Sequence, residues 1–310
     1  MSIRTFFAVL KETAVEWYEH DAQRQAAALA CYALLSMAPL VLFSVALAGL
    51  VFGEEAARGQ IAQQIGGVVG ETAASAIQGI AKNAHQAEGG VLGSIIGIGV
   101  LLFGASGVFG ELQTALNQMW EVKPKPGRGV VGFVRDRFLS FTMVLSVAFL
   151  LLVSLLLSTA LAAVGRFFAD TLPGGAVVWE VLNFLIQLGV VAFLFALVFK
   201  VVPDVEIGWR DVWVGAVGTA VLFSIGKWGL AMYLGRSTVA STYGAAGSVV
   251  ALVIWVYYAS QILFMGAELT QVYSRRAGSR IRPSPNAVFA RTPAPTPAPP
   301  AEQSSPSVPR

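Results

Sequence analysis

The sequence predicts an all-α, polytopic membrane protein with six transmembrane helices. Three observations carry the prediction: an apolar composition, six runs of spanning length, and a one-sided distribution of basic residues. Of 310 residues, 55% are hydrophobic, 13% are charged and 32 are glycine. A soluble domain devotes about a quarter of its residues to charge, so this chain lacks the polar surface that water demands. The bilayer takes that surface instead. A span needs about 20 mostly apolar residues, and the runs 29–52, 91–109, 138–164, 177–199, 212–234 and 247–267 qualify. Sixteen of the 21 Lys and Arg residues fall in alternate segments on one side of these spans and four on the other, with Lys227 inside the fifth. The positive-inside rule then puts both termini in the cytoplasm.

The elements follow in chain order. Residues 1–28 form a cytoplasmic amphipathic segment with no cleavable signal peptide. Over 5–28, Phe6, Val9, Leu10, Val15, Trp17 and Tyr18 mix with Lys11, Glu12, Glu16 and Glu19, which predicts one helix lying along the inner membrane surface. The transmembrane domain occupies 29–275. Its outer loop, 53–90, spaces Ile61, Ile65, Val68, Ile77 and Ile80 at helix-like intervals, as one or two short helices on the outer face would. Small residues, Ala26 to Ala30 in the first span and Gly93, Gly97, Gly104 and Gly107 in and just before the second span's end, allow close helix contact. Pro39 kinks the first span. Trp17, Trp120, Trp209 and Trp213 are expected at headgroup level at the cytoplasmic ends, and Trp255 between helices. Nine of the 14 prolines lie between Pro283 and Pro309, so 276–310 reads as a disordered, basic, Pro-rich cytoplasmic tail.

The composition also excludes chemistry. One cysteine, Cys31, and two histidines, His20 and His85, allow neither an intrachain disulfide nor a Cys/His zinc cluster. His20-Asp21 is an isolated titratable pair. A net charge of +3 is too even for a nucleic-acid binder. Phosphate-cradling GxxxxGK[ST], the GxSxG elbow and the HExxH helix are all missing. The expectation is therefore no enzyme, no cofactor, no metal and no nucleic-acid partner.

Polar residues within the bilayer cost free energy and become functional candidates by default. Lys227 lies seven residues before Leu234, about 10 Å inside the end of its span at 1.5 Å per residue, and needs an ion-pair partner or an aqueous cavity. Asp21 and Arg24, spaced i, i+3, cluster at the cytoplasmic mouth of the first span, where a plain surface pair is the competing reading. Asn117 ties its helix end to a neighbour or contacts a ligand. Tyr243 opens the sixth span as a gate or a simple helix start, and Glu268 closes that span, where Arg275 and Arg276 can neutralise it. Together Asp21, Arg24, Asn117, Lys227, Tyr243 and Glu268 are the candidate pathway or gate.

The run Asp21-Ala22-Gln23-Arg24-Gln25-Ala26-Ala27-Ala28-Leu29-Ala30-Cys31-Tyr32-Ala33-Leu34-Leu35-Ser36 closely resembles the opening of the YihY/BrkB family of bacterial inner-membrane proteins, formerly labelled ribonuclease BN. Gly110 with Leu116-Asn117 and Trp120, Pro203 with Trp209-Arg210 and Gly215-Ala216, and then Lys227, Tyr233, Tyr243-Gly244, Trp255, Tyr257 and Gly266-Ala267-Glu268 are similar to later family segments in the same order. The resemblance covers about residues 5–275. It departs at Cys31, where an aromatic residue is common, and in the tail. It implies a six-span protein of the bacterial cytoplasmic membrane without implying an activity, and the lack of metal ligands speaks against the ribonuclease label. The expected function is transport or rearrangement of a small solute, ion or lipid component. Expected partners are membrane lipids, including anionic ones, an unknown small solute or ion, and a second copy in a homo-oligomer. The rival is a non-transporting, virulence-associated scaffold that organises envelope partners. An intramembrane enzyme stands third.

Overall fold

The computed structural model describes residues 3–35, 107–125, 175–236, 247–278 and 281–290. Helix α1 is Ile3–Glu19, and α2 and α3 are the described helical stretches 22–35 and 107–119. Helices α4 (Gly175–Val201), α5 (Trp209–Arg236) and α6 (Gly247–Ala277) follow. Four short strands lie between and after them: β1 (Val122–Pro124), β2 (Val205–Glu206), β3 (Arg282–Pro283) and β4 (Ala287–Phe289). Among the described residues three helices are long and apolar enough to cross a membrane, Val178–Val201, Trp209–Leu230 and Val249–Arg276. They correspond to the fourth, fifth and sixth expected spans. The third span, most of the first two, Pro39, Gly93, Gly97, Gly104, the 53–90 loop and Tyr243 lie outside the described residues.

Helix α5 packs on α4 and on α6, and its contact with α6 is made by small residues. Each helix carries a glycine four residues before a threonine. Thr219 Oγ1 donates to Gly215 O and Thr270 Oγ1 to Gly266 O, both at 2.7 Å, which turns each hydroxyl back onto its own helix. The two pairs interlock. A Cβ on Gly215 would lie 1.6 Å from Thr270 Oγ1, and one on Gly266 would lie 1.8 Å from Thr219 Oγ1. Only glycine fits at either position. Thr219 and Thr270 are fully buried, so the contact is the small-residue packing by which membrane helices associate without a hydrophobic driving force. Further along, Phe195 of α4, Phe223 of α5 and Trp255 of α6 meet edge-on, with centroids 5.7 and 6.1 Å apart. Trp255 thus sits between helices, as expected. Outward-facing Val178, Phe184, Ile225 and Trp228 are exposed, in keeping with a lipid-facing surface.

Helix α6 has 31 residues, about 46 Å at 1.5 Å per residue, against a hydrocarbon core of about 30 Å. Its C-terminal turns therefore extend past the apolar layer, and α1 packs against them. The amphipathic segment is not the single helix expected over 5–28. The chain turns at His20-Asp21, where Asp21 adopts φ 53°, and its carbonyl accepts from the amides of Arg24 and Gln25 to start α2. A β-carbon residue at positive φ is uncommon, and Asp tolerates it better than most. From this elbow Ala22, Ala26 and Ala30 form a buried stripe along α2. Tyr32 lies across Gly107 of α3, where a Cβ would come within 2.9 Å of its ring.

The ends of α3, α4 and α6 and the start of α5 are gathered by the strands. Strand β1 pairs antiparallel with β4, Val122 opposite Phe289, and β2 with β3, Val205 opposite Pro283. Ser284 N donates to Asp204 O at 2.9 Å and Lys125 N to Asn286 O at 3.0 Å. The segment 281–290 consequently stitches the loop after α3 to the loop before α5. This corrects the tail boundary: the disordered region expected from 276 cannot include the end of α6 or 281–290, because Ala287 is buried and Ile281 packs on the core. Residues 291–310 lie outside the described residues. Trp120 is likewise corrected. At 1% exposure it is a core residue and not a headgroup anchor, whereas Trp209 and Trp213 are exposed as expected.

The glycine–threonine interlock gives the first prediction. Gly215→Ala is expected to cost about 1–3 kcal/mol through overpacking, read as a lower melting temperature in detergent. The exchange G215A/T270G should recover part of the loss. Wild-type melting of the single variant would show that the helices are not in this register.

Candidate functional site

The strand-capped end of the bundle holds a cluster of hydrogen-bonded and ionisable side chains drawn from four separate parts of the chain. Glu268 on α6 is fully buried, and its Oε1 lies 2.6 Å from His20 Nδ1. The other ring nitrogen, Nε2, lies 3.8 Å from Oε1 of Glu121, which is one-third exposed. Glu121 follows α3 at φ 51°, and its carbonyl accepts from Ala290 N at 2.7 Å. That bond ties it to the end of β4. Gln118 Nε2 donates to the His20 carbonyl at 2.9 Å, and Gln25 Nε2 donates to Gln118 Oε1 at 2.6 Å. The elbow between α1 and α2 is therefore held from α3 and from α6 together.

A carboxylate in an apolar interior is costly unless it is paired. His20 supplies the pairing, and the hydrogen bond to Glu268 raises the pKa of His20 above its ordinary 6.5, with Glu121 and Glu16 adding to the rise against the opposing effect of burial. Among the described residues Glu268 Oε2 has no hydrogen-bond partner, and neither do the buried Gln271 Oε1, Trp17 Nε1 and Trp120 Nε1. Residues 268 and 271 share a face of α6 by i, i+3 spacing. The site thus consists of a neutralised acid with one oxygen still unused.

The sequence-derived candidates separate clearly. Glu268 is where expected but with a different partner: Arg275 bonds both Glu12 and Glu16 of α1, and Arg276 pairs with Glu12. The arginines lie seven and eight residues beyond Glu268, two turns away along the helix, and reach the solvated face of α1. Asn117 ties its helix end to a neighbour. Its Nδ2 donates to Asp204 Oδ2 at 3.0 Å, and its Oδ1 accepts from Asp204 N at 2.7 Å. Asp21 and Arg24 form an exposed pair at 3.6 Å, the surface arrangement that contributes little. Lys227 lies on the exposed face of α5 beside Trp228 and outside the packed interior. Tyr243 falls outside the described residues. The sequence presents His20 only as half of an isolated pair with Asp21 and singles out neither Gln118 nor Glu121, for 248 positions separate His20 from Glu268 and no local pattern joins them. The one available signal was the charge alternation, which assigns His20, Glu121 and Glu268 to the same side of the membrane.

A helical membrane protein whose chain ends and loops are stitched around a buried acid at one end is the class that these features define. The chain belongs to the family described as virulence factor BrkB, whose sequence model matches residues 13–290. That match takes in the strand segment 281–290. The chain is 24% identical over 274 residues to a putative ribonuclease-like protein, YfkH, of Bacillus subtilis, covering 86% of this chain and 95% of that protein. It is 30% identical over 194 residues to a UPF0761 membrane protein of Methylibium petroleiphilum, covering 62% of this chain and 44% of the relative. To a UPF0761 membrane protein of Rhodospirillum centenum it is 26% identical over 289 residues, 91% of this chain and 61% of the relative. The chain therefore spans less than two thirds of these longer relatives. No solved structure matches. Among the described residues no group of three or more His, Cys, Asp or Glu side chains is placed to hold a metal ion.

The His20 pair predicts a pH-dependent stability. Because folding raises the His20 pKa, its contribution is fully present below about 6.5 and is lost as pH rises through the higher folded value. The gap in melting temperature between wild type and His20→Gln should therefore be wide near pH 6 and narrow near pH 9. A hydrogen bond to a charged group contributes about 1.5–3 kcal/mol. A gap that widened with pH would show that His20 is held neutral.

Proposed function

We propose that this chain moves or rearranges a small solute, an ion or a lipid component across the bacterial cytoplasmic membrane, with both termini in the cytoplasm and the strand-capped end facing it. The observation that supports the reading is Glu268, fully buried toward the end of a helix long and apolar enough to span a membrane, with one oxygen unpartnered among the described residues. An ionisable group placed among packed membrane helices costs about 2.5–3.5 kcal/mol near mid-membrane on insertion scales, and less toward the ends. An apolar residue could close the same helix contact without that cost, which makes the acid's retention a functional hypothesis. Lys227 and Trp228, neighbours on the exposed face of α5, supply a cation and an amphipathic ring where an anionic headgroup would be met from the bilayer. On this reading the protein is not an enzyme, requires no cofactor and binds no nucleic acid.

The test is direct. Purified protein in phosphatidylethanolamine–phosphatidylglycerol liposomes carrying fluorescently labelled forms of both lipids would be examined by dithionite quenching for lipid movement. Entrapped ion-sensitive dyes would report ion flux. Protein-dependent movement is expected, reduced at least fivefold by Glu268→Gln, with the melting profile of the variant confirming its fold. Proteoliposomes that behave like empty ones under every lipid and ion gradient would leave the envelope-organising role in its place.

A further inference from the structure

The imidazole of His20 stands between two carboxylates of opposite exposure. Its Nδ1 is 2.6 Å from the wholly buried Glu268, and its Nε2 is 3.8 Å from Glu121, which is 34% exposed; the ring itself is 14% exposed. A purely structural partner for a buried acid has no need of a second acid on its outer edge. Yet Glu121 is held there in a left-handed backbone conformation, which costs a non-glycine residue about 1 kcal/mol or more. On the inner side Glu268 Oε2 is buried without a hydrogen-bond partner among the described residues. The charged groups that act on the ring come from each element around it: Glu16 from α1, Glu121 from the end of α3 and Glu268 from α6. At the start of α2, Asp21 and Arg24 pair with each other at the surface. Arg275 is occupied by Glu12 and Glu16.

From this arrangement we infer that His20 is a proton port: protons reach it from solvent by way of Glu121, pass through the imidazole to Glu268, and stand ready on that acid for release toward the helix interior. The inference rests on the transport reading and names the proton as the ion handled at this site. Uptake comes first: on the neutral Nδ1–H ring, an O–H bond of Glu121, protonated from water, breaks and an Nε2–H bond forms, giving imidazolium and a Glu121 carboxylate. The Nδ1–H bond then breaks and an O–H bond forms on Glu268 Oε1, so that imidazolium and carboxylate become the neutral Nε2–H ring and a carboxylic acid. Exchange of the remaining ring proton from Nε2 to Nδ1 by way of water resets the port. Each transfer moves one proton and leaves charge balanced between its two partners. Histidine suits the task because its unperturbed pKa lies nearest to neutrality.

The experiment follows the protonation of Glu268 in the full-length protein in phosphatidylethanolamine–phosphatidylglycerol nanodiscs by infrared difference spectroscopy. The pH is stepped from about 8 to about 5, a range that brackets histidine titration. The carboxylic-acid band removed by Glu268→Gln is the signal. Its rise is expected to slow at least tenfold in His20→Gln and severalfold in Glu121→Gln. The Glu121 variant leaves the His20–Glu268 pair intact, so it keeps the test valid if His20→Gln does not fold. An unchanged rate in Glu121→Gln together with an unchanged rate or a misfolded protein in His20→Gln overturns the inference. So does the absence of any Glu268 band across the range. The chain has only two histidines, and in a His85→Asn background the ring-nitrogen resonances of His20 report the same step independently. Lipid or ion movement indifferent to Glu121→Gln would retain the transport reading and remove the proton port. A His20-dependent Glu268 signal in a protein that moves no lipid or solute would do the reverse.

Discussion

The close approach of α5 to α6 is the constraint on which the rest of the strand-capped end depends. Thr270 occupies the space over Gly215, and Thr219 that over Gly266, which fixes the rotation of α6 about its own axis. With 100° between successive residues of an α-helix, Gly266 and Thr270 lie within about 40° of each other, and Glu268 falls on the far side. The interlock therefore turns Glu268 away from α5 and toward the elbow of α1 and α2. Nothing on α6 could be repositioned independently, since a slip of one residue would expel both threonines and carry the acid out of reach of His20.

This dependence explains why helices were legible in the sequence and the site was not. Runs of apolar residues report burial in lipid directly, and α4 and α5 follow from them with ends shifted by two or three residues, whereas α6 runs ten residues past its expected end at 267. The glycines at 215 and 266 were visible as small residues. Their reciprocity with Thr270 and Thr219 was not, because a single chain read in order does not say which helix faces which. The elbow at His20-Asp21 interrupts an amphipathic pattern that continues in sequence on both sides of it. The strands were hidden for another reason. Arg282–Pro283 and Ala287–Phe289 are too short for an alternating pattern and lie where proline content reads as disorder. Proline is tolerated at a sheet edge, and in each two-stranded sheet every strand is an edge, so Pro124 in β1 and Pro283 in β3 meet little penalty.

Charge at this end is arranged in two layers. Glu268, deep in the packing, takes the one side chain at the elbow that can neutralise it without a long flexible stem. Arg275 and Arg276, two turns further out, bond Glu12 and Glu16 on α1, with the arginines 41% exposed. An arginine inward at 20 would have to bury its stem and head together, and a histidine outward at 275 would be too short to span to α1. Reach and hydration assign each cation to its layer. Both layers join the same two helices, so α1 is attached to α6 at two heights.

Those two attachments differ in what can release them. The outer one joins arginines to carboxylates. The inner one is held by an imidazole whose pKa folding raises. Loss of the inner bond alone would leave α1 hinged on α6 through its arginine contacts, with the elbow released from Glu268 and still held to α3. Gln118 grips the His20 carbonyl and Gln25 grips Gln118, so such a movement would be transmitted along α2 by its first turn. The alanine stripe of α2 presents no large side chain to resist sliding past its neighbours. The protonation state of His20 is thereby linked to the first turn of α2.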